Sequence, residues 1–166
     1  MKRITVPIEF DKKSFGPESI LKSKSGHTRI YKGSIILTPG VWADSVSNSN
    51  ILYKSDILKK YSTNWTSNHI NLGHDNANPL SLVGTVQNQR WEDGAIKGDL
   101  YINTQLFAGG EVVKAIDAGL VNKLSIELES KDYWDSTKNV RYADDMKFMG
   151  VAIIGDHPAC KHTKIR

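Results

Sequence analysis

Apolar and polar residues alternate with a period of two along much of this chain. The alternation predicts strands at Ile4–Phe10, Thr28–Leu37, Asn68–Leu72, Leu82–Trp91, Ala95–Ile102, Lys123–Ser130 and Met146–Ile154. In "WEDGAI", Asp93 and Gly94 separate two of these runs, and both residue types accept the positive φ of a tight hairpin turn. A period of 3.6 appears in "GGEVVKAIDAG", where Val112, Ala115 and Ile116 share one helix face. Glu111 opens that helix and Gly119 is placed to close it. Ser55 reads as the N-cap of a shorter helix over Asp56–Tyr61, and the Ser- and Asn-rich stretch from Trp42 to Ser55 as a surface loop. About seven strands and two helices make a mainly β (α+β) domain. Curling such a sheet into a barrel would remove its exposed edges.

Composition narrows the class. A chain of 166 residues, 39% hydrophobic and 24% charged, suits a single domain over residues 1–166 that buries its core without disulfide staples. The single Cys160 excludes an internal disulfide and fits a reducing compartment. No apolar segment follows the basic residues of "MKRITVPIEFDKK", so no signal peptide is expected, and no apolar run reaches membrane-spanning length. The net charge of +4 comes from Lys and Arg spread along the chain. Without a basic block interleaved with aromatics, direct nucleic-acid binding is not expected.

Two places could carry chemistry. In "INLGHDNANPLSLVGTV", His74 and Asp75 follow Gly73 between two strand-like runs. His74 is a turn residue, a metal ligand or a general base held on a rigid support. The metal reading would join His69, His74 and Asp75 to His157, Cys160 and His162 of "HPACKH", types that bind zinc but at spacings that match no strong ligand pattern. In "GLVNKLSIELES", Ser125 falls on the polar side of a strand on which Leu124, Ile126 and Leu128 form the apolar side. Strand alternation alone accounts for a serine there. A nucleophilic role needs a base within hydrogen-bond reach and a third group to orient that base.

Three blocks together resemble one family: "NLGHDNANPLSLVGTV", "AIDAGLVNKLSIELES" and "FMGVAIIGDHPAC". The family is the prohead (capsid-maturation) serine proteases of tailed phages and related archaeal viruses, distant relatives of the herpesvirus assemblins. The resemblance also takes in "GSIILTPGVW" and spans roughly Gly33 to Cys160, with Ser125 lying 51 positions after His74. It departs at Ile126-Glu127-Leu128, where many members have a glycine and an aromatic. It departs again at Gly150-Val151-Ala152, where many carry an acidic residue followed by Val-Ser.

The resemblance implies a herpesvirus-protease-like barrel of about seven strands flanked by a few helices. It implies catalysis by Ser125 and His74 without a cofactor or metal. Scaffold, major capsid and portal proteins are the implied substrates and partners, with self-cleavage, homodimers or larger homo-oligomers, and a location in the host cytoplasm inside immature capsids. A further C-terminal piece, absent here or removed by processing, is also implied. For the third catalytic residue the ranking is His157, then Asp156, then Asp145. Glu127 shares the strand face of Ser125, which sets it within a few ångströms of any ring that meets Ser125. Asp75 points away from its neighbour His74 and reads as structural. Oxyanion donors are expected from backbone N–H groups or a basic side chain after the final strand. Rival readings are an inactive capsid-assembly or scaffold domain of the same fold, the metal-dependent hydrolase and a basic nucleic-acid-binding barrel.

Overall fold

A computed structural model describes residues 2–6, 26–44 and 49–155. Nine strands and two α-helices run in the order β1 (Lys2–Val6), β2 (Thr28–Leu37), β3 (Gly40–Ala43), β4 (Asn50–Tyr53), α1 (Ser55–Tyr61), β5 (His69–Leu72), β6 (Leu82–Glu92), β7 (Ala95–Asn103), α2 (Gly109–Asp117), β8 (Lys123–Asp135) and β9 (Val140–Ile154). All nine belong to one sheet, ordered β1-β8-β9-β5-β6-β7-β2, with the β3–β4 hairpin joined through β4 to β9. Pairing is antiparallel except where β4 and β5 each run parallel to β9.

The mainly β expectation holds, and the expected seven-stranded barrel is corrected to an open, mixed nine-stranded sheet. Closure would need β1 and β2 to pair, whereas β1 pairs with β8 and β2 with β7. The pairing of β2 with β7 is irregular, with register shifts between Tyr31 and Ser34 and again between Ile35 and Leu37, and such bulges bend an end strand.

The strand β9 organises the sheet, because β8, β4 and β5 all pair with it. Its alternation changes phase at Asp145, whose φ is 48°: Ala143 and Met146 are both buried although three positions apart. Opposite it, β8 shows register shifts between Glu127 and Leu128 and between Glu129 and Lys131. The two bulges let one long hairpin serve different neighbours along its length. Beneath the sheet Ile36, Tyr53, Leu100, Ile126, Met146 and Phe148 are fully enclosed.

Local chemistry explains the elements. Asp93 (φ 51°) and Gly94 (φ 75°) make the predicted turn, closing the β6–β7 hairpin at the Glu92–Ala95 pair. α2 ends in a Schellman motif: the Gly119 N–H donates to Ile116 O (2.9 Å) and the Leu120 N–H to Ala115 O (2.9 Å). The helix turns Val112 and Ile116 into the core. Asp117 pins it to β2, accepting from the Tyr31 hydroxyl (2.9 Å) and pairing with Arg29 (2.8 Å).

Two local expectations are corrected. Ser55 is the first residue of α1 rather than its cap; Lys54 occupies the cap and makes no side-chain cap bond. The stretch expected as a loop holds the end of β3 and all of β4, because Ile51 and Tyr53 alternate into the core. β1 begins two residues earlier than expected, and residues 7–10 of that expected strand lie outside the described part.

At Gly84 a Cβ would stand 1.9 Å from the backbone oxygen of Tyr101. Gly84→Ala is therefore expected to destabilise the fold by about 3 kcal/mol, read as a lowered urea midpoint.

Candidate functional site

The site forms where β5 ends against β9 and β8. The pairs Asn71–Ala152 and Ala152–Ser125 put Asn71, Ala152 and Ser125 in one row across three strands. Residues opposite one another in a sheet share a face, so Asn71, Ser125 and, two residues along β8, Glu127 lie on the same side. That is the polar face predicted for β8, yet it is closed: Ser125 is 0% exposed and Glu127 1%.

Gly73 turns the chain at the end of β5. Its φ of 68° suits glycine, and its N–H donates to Ile153 O (2.8 Å) on β9. His74 is thereby brought back over the sheet, where its Nδ1 lies 3.0 Å from Glu127 Oε1. The Asn76 amide donates to the other Glu127 oxygen, and its own oxygen accepts from Asn71 Nδ2 (2.8 Å). Ser81 steadies the loop through its hydroxyl, 2.7 Å from Asp75 O and 2.8 Å from Asn78 O. Pro79 and the Asn78 cap set the short turn that positions Ser81.

Charge fixes the directions in this array. A carboxylate only accepts, so Asn76 presents its NH₂ to Glu127 and its oxygen to Asn71. Likewise His74 presents Nδ1–H, which leaves Nε2 as the acceptor. The arrangement therefore offers an imidazole with a fixed tautomer, a nearly buried carboxylate behind it and a serine on the same strand as that carboxylate.

Asp145 lies seven residues from Ala152, the partner of Ser125, or about 23 Å along an extended strand, and it pairs with Lys131 (2.5 Å). It does not meet His74, because the β8–β9 hairpin carries it toward the far end. Asp156, His157, Cys160 and His162 lie outside the described residues. Among the described residues, no three His, Cys, Asp or Glu are grouped to hold a metal. His69 shares the Asn71 face, and its Nδ1 lies 2.5 Å from Ser67 Oγ. Its ring packs against Gly150, where a Cβ would come within 3.0 Å of Cδ2 and Nε2. Asp75 is exposed and makes its described contact with the Ser81 hydroxyl through its backbone oxygen.

Among the described residues Glu127 meets His74, and Asn76 and Asn71 are not singled out by the sequence. The i, i+2 spacing from Ser125 was the signal for Glu127, and a buried polar residue within "INL" was the signal for Asn71. Asn76 gave no signal distinct from an ordinary turn asparagine. Asn76→Ala removes one of the hydrogen bonds to Glu127 and is expected to destabilise the chain by about 1 kcal/mol, read as a lowered urea midpoint.

The fold is similar to one solved for a capsid assembly protease. In particular, it is similar to the structure of the bacteriophage T4 capsid assembly protease, gp21, with a TM-score of 0.56 and 17% sequence identity, covering 78% of this chain and 81% of that chain. No protein-family model matches the chain, and no curated protein matches it in sequence. Among the described residues, no helix is long and apolar enough to cross a membrane.

Proposed function

We propose that this chain is a prohead (capsid-maturation) serine endopeptidase, with Ser125 as nucleophile, His74 as general base and Glu127 as the group that orients His74. The observation that carries the proposal is the His74–Glu127 contact at 3.0 Å, made by a carboxylate two residues from Ser125 on one strand face. The fold shared with a capsid assembly protease supports the substrate class.

In this mechanism His74 Nε2 takes the Ser125 proton as Oγ bonds to the peptide carbonyl carbon. Glu127 stabilises the imidazolium by accepting from Nδ1–H. Collapse of the tetrahedral intermediate breaks the C–N bond, and His74 returns the proton to the leaving amine. Water then repeats the sequence to release the acyl group from Ser125. Scaffold, major capsid and portal proteins inside the immature capsid are the proposed substrates, with self-cleavage and homo-oligomers as further parts of the reading.

A fluorophosphonate probe at neutral pH, with the adduct located by mass spectrometry, tests the chemistry. An adduct on Ser125 that disappears in His74→Ala is the expected result. Cleavage of scaffold protein by Ser125→Ala at the wild-type rate would end the proposal.

A further inference from the structure

The proposed mechanism requires a peptide carbonyl to reach Ser125, and Ser125 is fully enclosed. The row through it reads Thr5, Ser125, Ala152, Asn71 on β1, β8, β9 and β5. β9 is hydrogen-bonded on both sides, to β8 and β5, and β5 is held between β9 and β6. Among the described residues, β1 is an end strand of five residues that pairs only with β8. Of the three strands that continue this row away from β8, β1 is the one whose departure breaks a single ladder.

Its placement is selective. β1 covers β8 only from Leu124 to Leu128, with Thr5 opposite Ser125 and Arg3 opposite Glu127. Beyond Leu128, β8 continues to Asp135 without a described strand on that side. The paired stretch is therefore the part of β8 that bears the candidate nucleophile and the carboxylate. A ladder edge vacated by β1 would offer unpaired backbone N–H and C=O groups to an extended chain, the arrangement by which peptides add to sheets.

Resting on the serine-peptidase reading, we propose that the β8 edge over Leu124–Leu128 is the docking strand for an extended peptide substrate. β1 holds that place until it is displaced. The register defines the partner's chemistry. An incoming strand takes apolar residues at alternate positions, where β1 has Ile4 and Val6 opposite Ile126 and Leu124. It takes polar residues between them, and a basic residue falls opposite Glu127. A proline within the paired stretch would remove a backbone donor and weaken binding.

Hydrogen exchange on the unaltered chain gives the first test. The amides of Lys2–Val6 are expected to exchange at least 10-fold faster than those of Val151–Ile153, through local opening. Exchange of both sets together, only on global unfolding, would overturn the proposal. The second test compares the full chain carrying Ser125→Ala with the same chain also carrying Ile4→Pro and Thr5→Pro, which disrupt β1 pairing. A fluorescent peptide of residues 2–10 should bind the second at least 10-fold more tightly, read by anisotropy on proteins shown by circular dichroism to be folded. Equal binding by both, or binding by neither, overturns the proposal. Fluorophosphonate labelling of the chain with Ile4→Pro and Thr5→Pro alone separates the two readings. Peptide binding without any Ser125 adduct keeps the docking edge and removes the peptidase. A Ser125 adduct without peptide binding does the reverse.

Discussion

Ser125→Ala and His74→Ala are each expected to lower peptide cleavage by about 10⁴-fold, and the double variant by little more than either alone. The non-additivity is the informative part. In the proposed mechanism His74 accelerates the reaction only by taking the Ser125 proton, so once the hydroxyl is gone the imidazole has nothing to accept. Residual activity would reflect binding and oxyanion stabilisation. The measurement is single-turnover cleavage of a scaffold protein, with thermal midpoints as a control for folding. Because Ser125 is wholly buried, a large fall in the Ser125→Ala midpoint would show that the hydroxyl serves the fold as well. Losses that simply multiply in the double variant would mean that the residues do not act as a unit.

The second large effect is expected at Glu127, and the choice of replacement separates its roles. Glu127 accepts from two donors at once, His74 Nδ1 and the Asn76 amide. Glu127→Gln keeps the shape but supplies one acceptor and one NH₂. If the remaining oxygen stays with Asn76, the new NH₂ faces His74 and favours the tautomer with hydrogen on Nε2, which can no longer take a proton from Ser125. A fall in kcat of about 10³-fold to 10⁴-fold with near-native stability is expected. Glu127→Ala instead removes the acceptor from the half-buried His74 and the exposed Asn76 and should also destabilise the chain by about 1 kcal/mol. The His74 tautomer, read from ¹⁵N shifts of the ring nitrogens, distinguishes orientation from simple structural support. A Glu127→Gln protein with wild-type kcat and an unchanged tautomer would remove Glu127 from the mechanism.

Glu127 also illustrates how far the sequence reaches. Its spacing from Ser125 puts the two on one strand face, a consequence of the pleat that needs no tertiary information. Placing it beside His74, and Asp145 away from it, required knowing where the chain after Gly73 returns over the sheet. That return depends on the Gly73 turn and on a hydrogen bond to Ile153, 80 residues further on. Asp145 ranked as a candidate because it begins a predicted strand that leads toward the site. Along the actual β9, a bulge at Asp145 and the length of the hairpin carry it to Lys131.

What the sequence determined by itself was local. Apolar alternation marked β2 and β5–β8 to within a few residues, Asp93-Gly94 specified its turn, and Gly119 specified the end of α2, because these signals act between near neighbours. The tertiary structure decided the rest. It made the end of β3 and all of β4 from a stretch whose Ser/Asn composition outweighs its short apolar ends, left the sheet open between β1 and β2, and buried the polar face of β8. It also set a carboxylate behind His74. Each of these depends on which strands lie side by side, and strand pairing joins residues whose separation along the chain leaves no periodic trace.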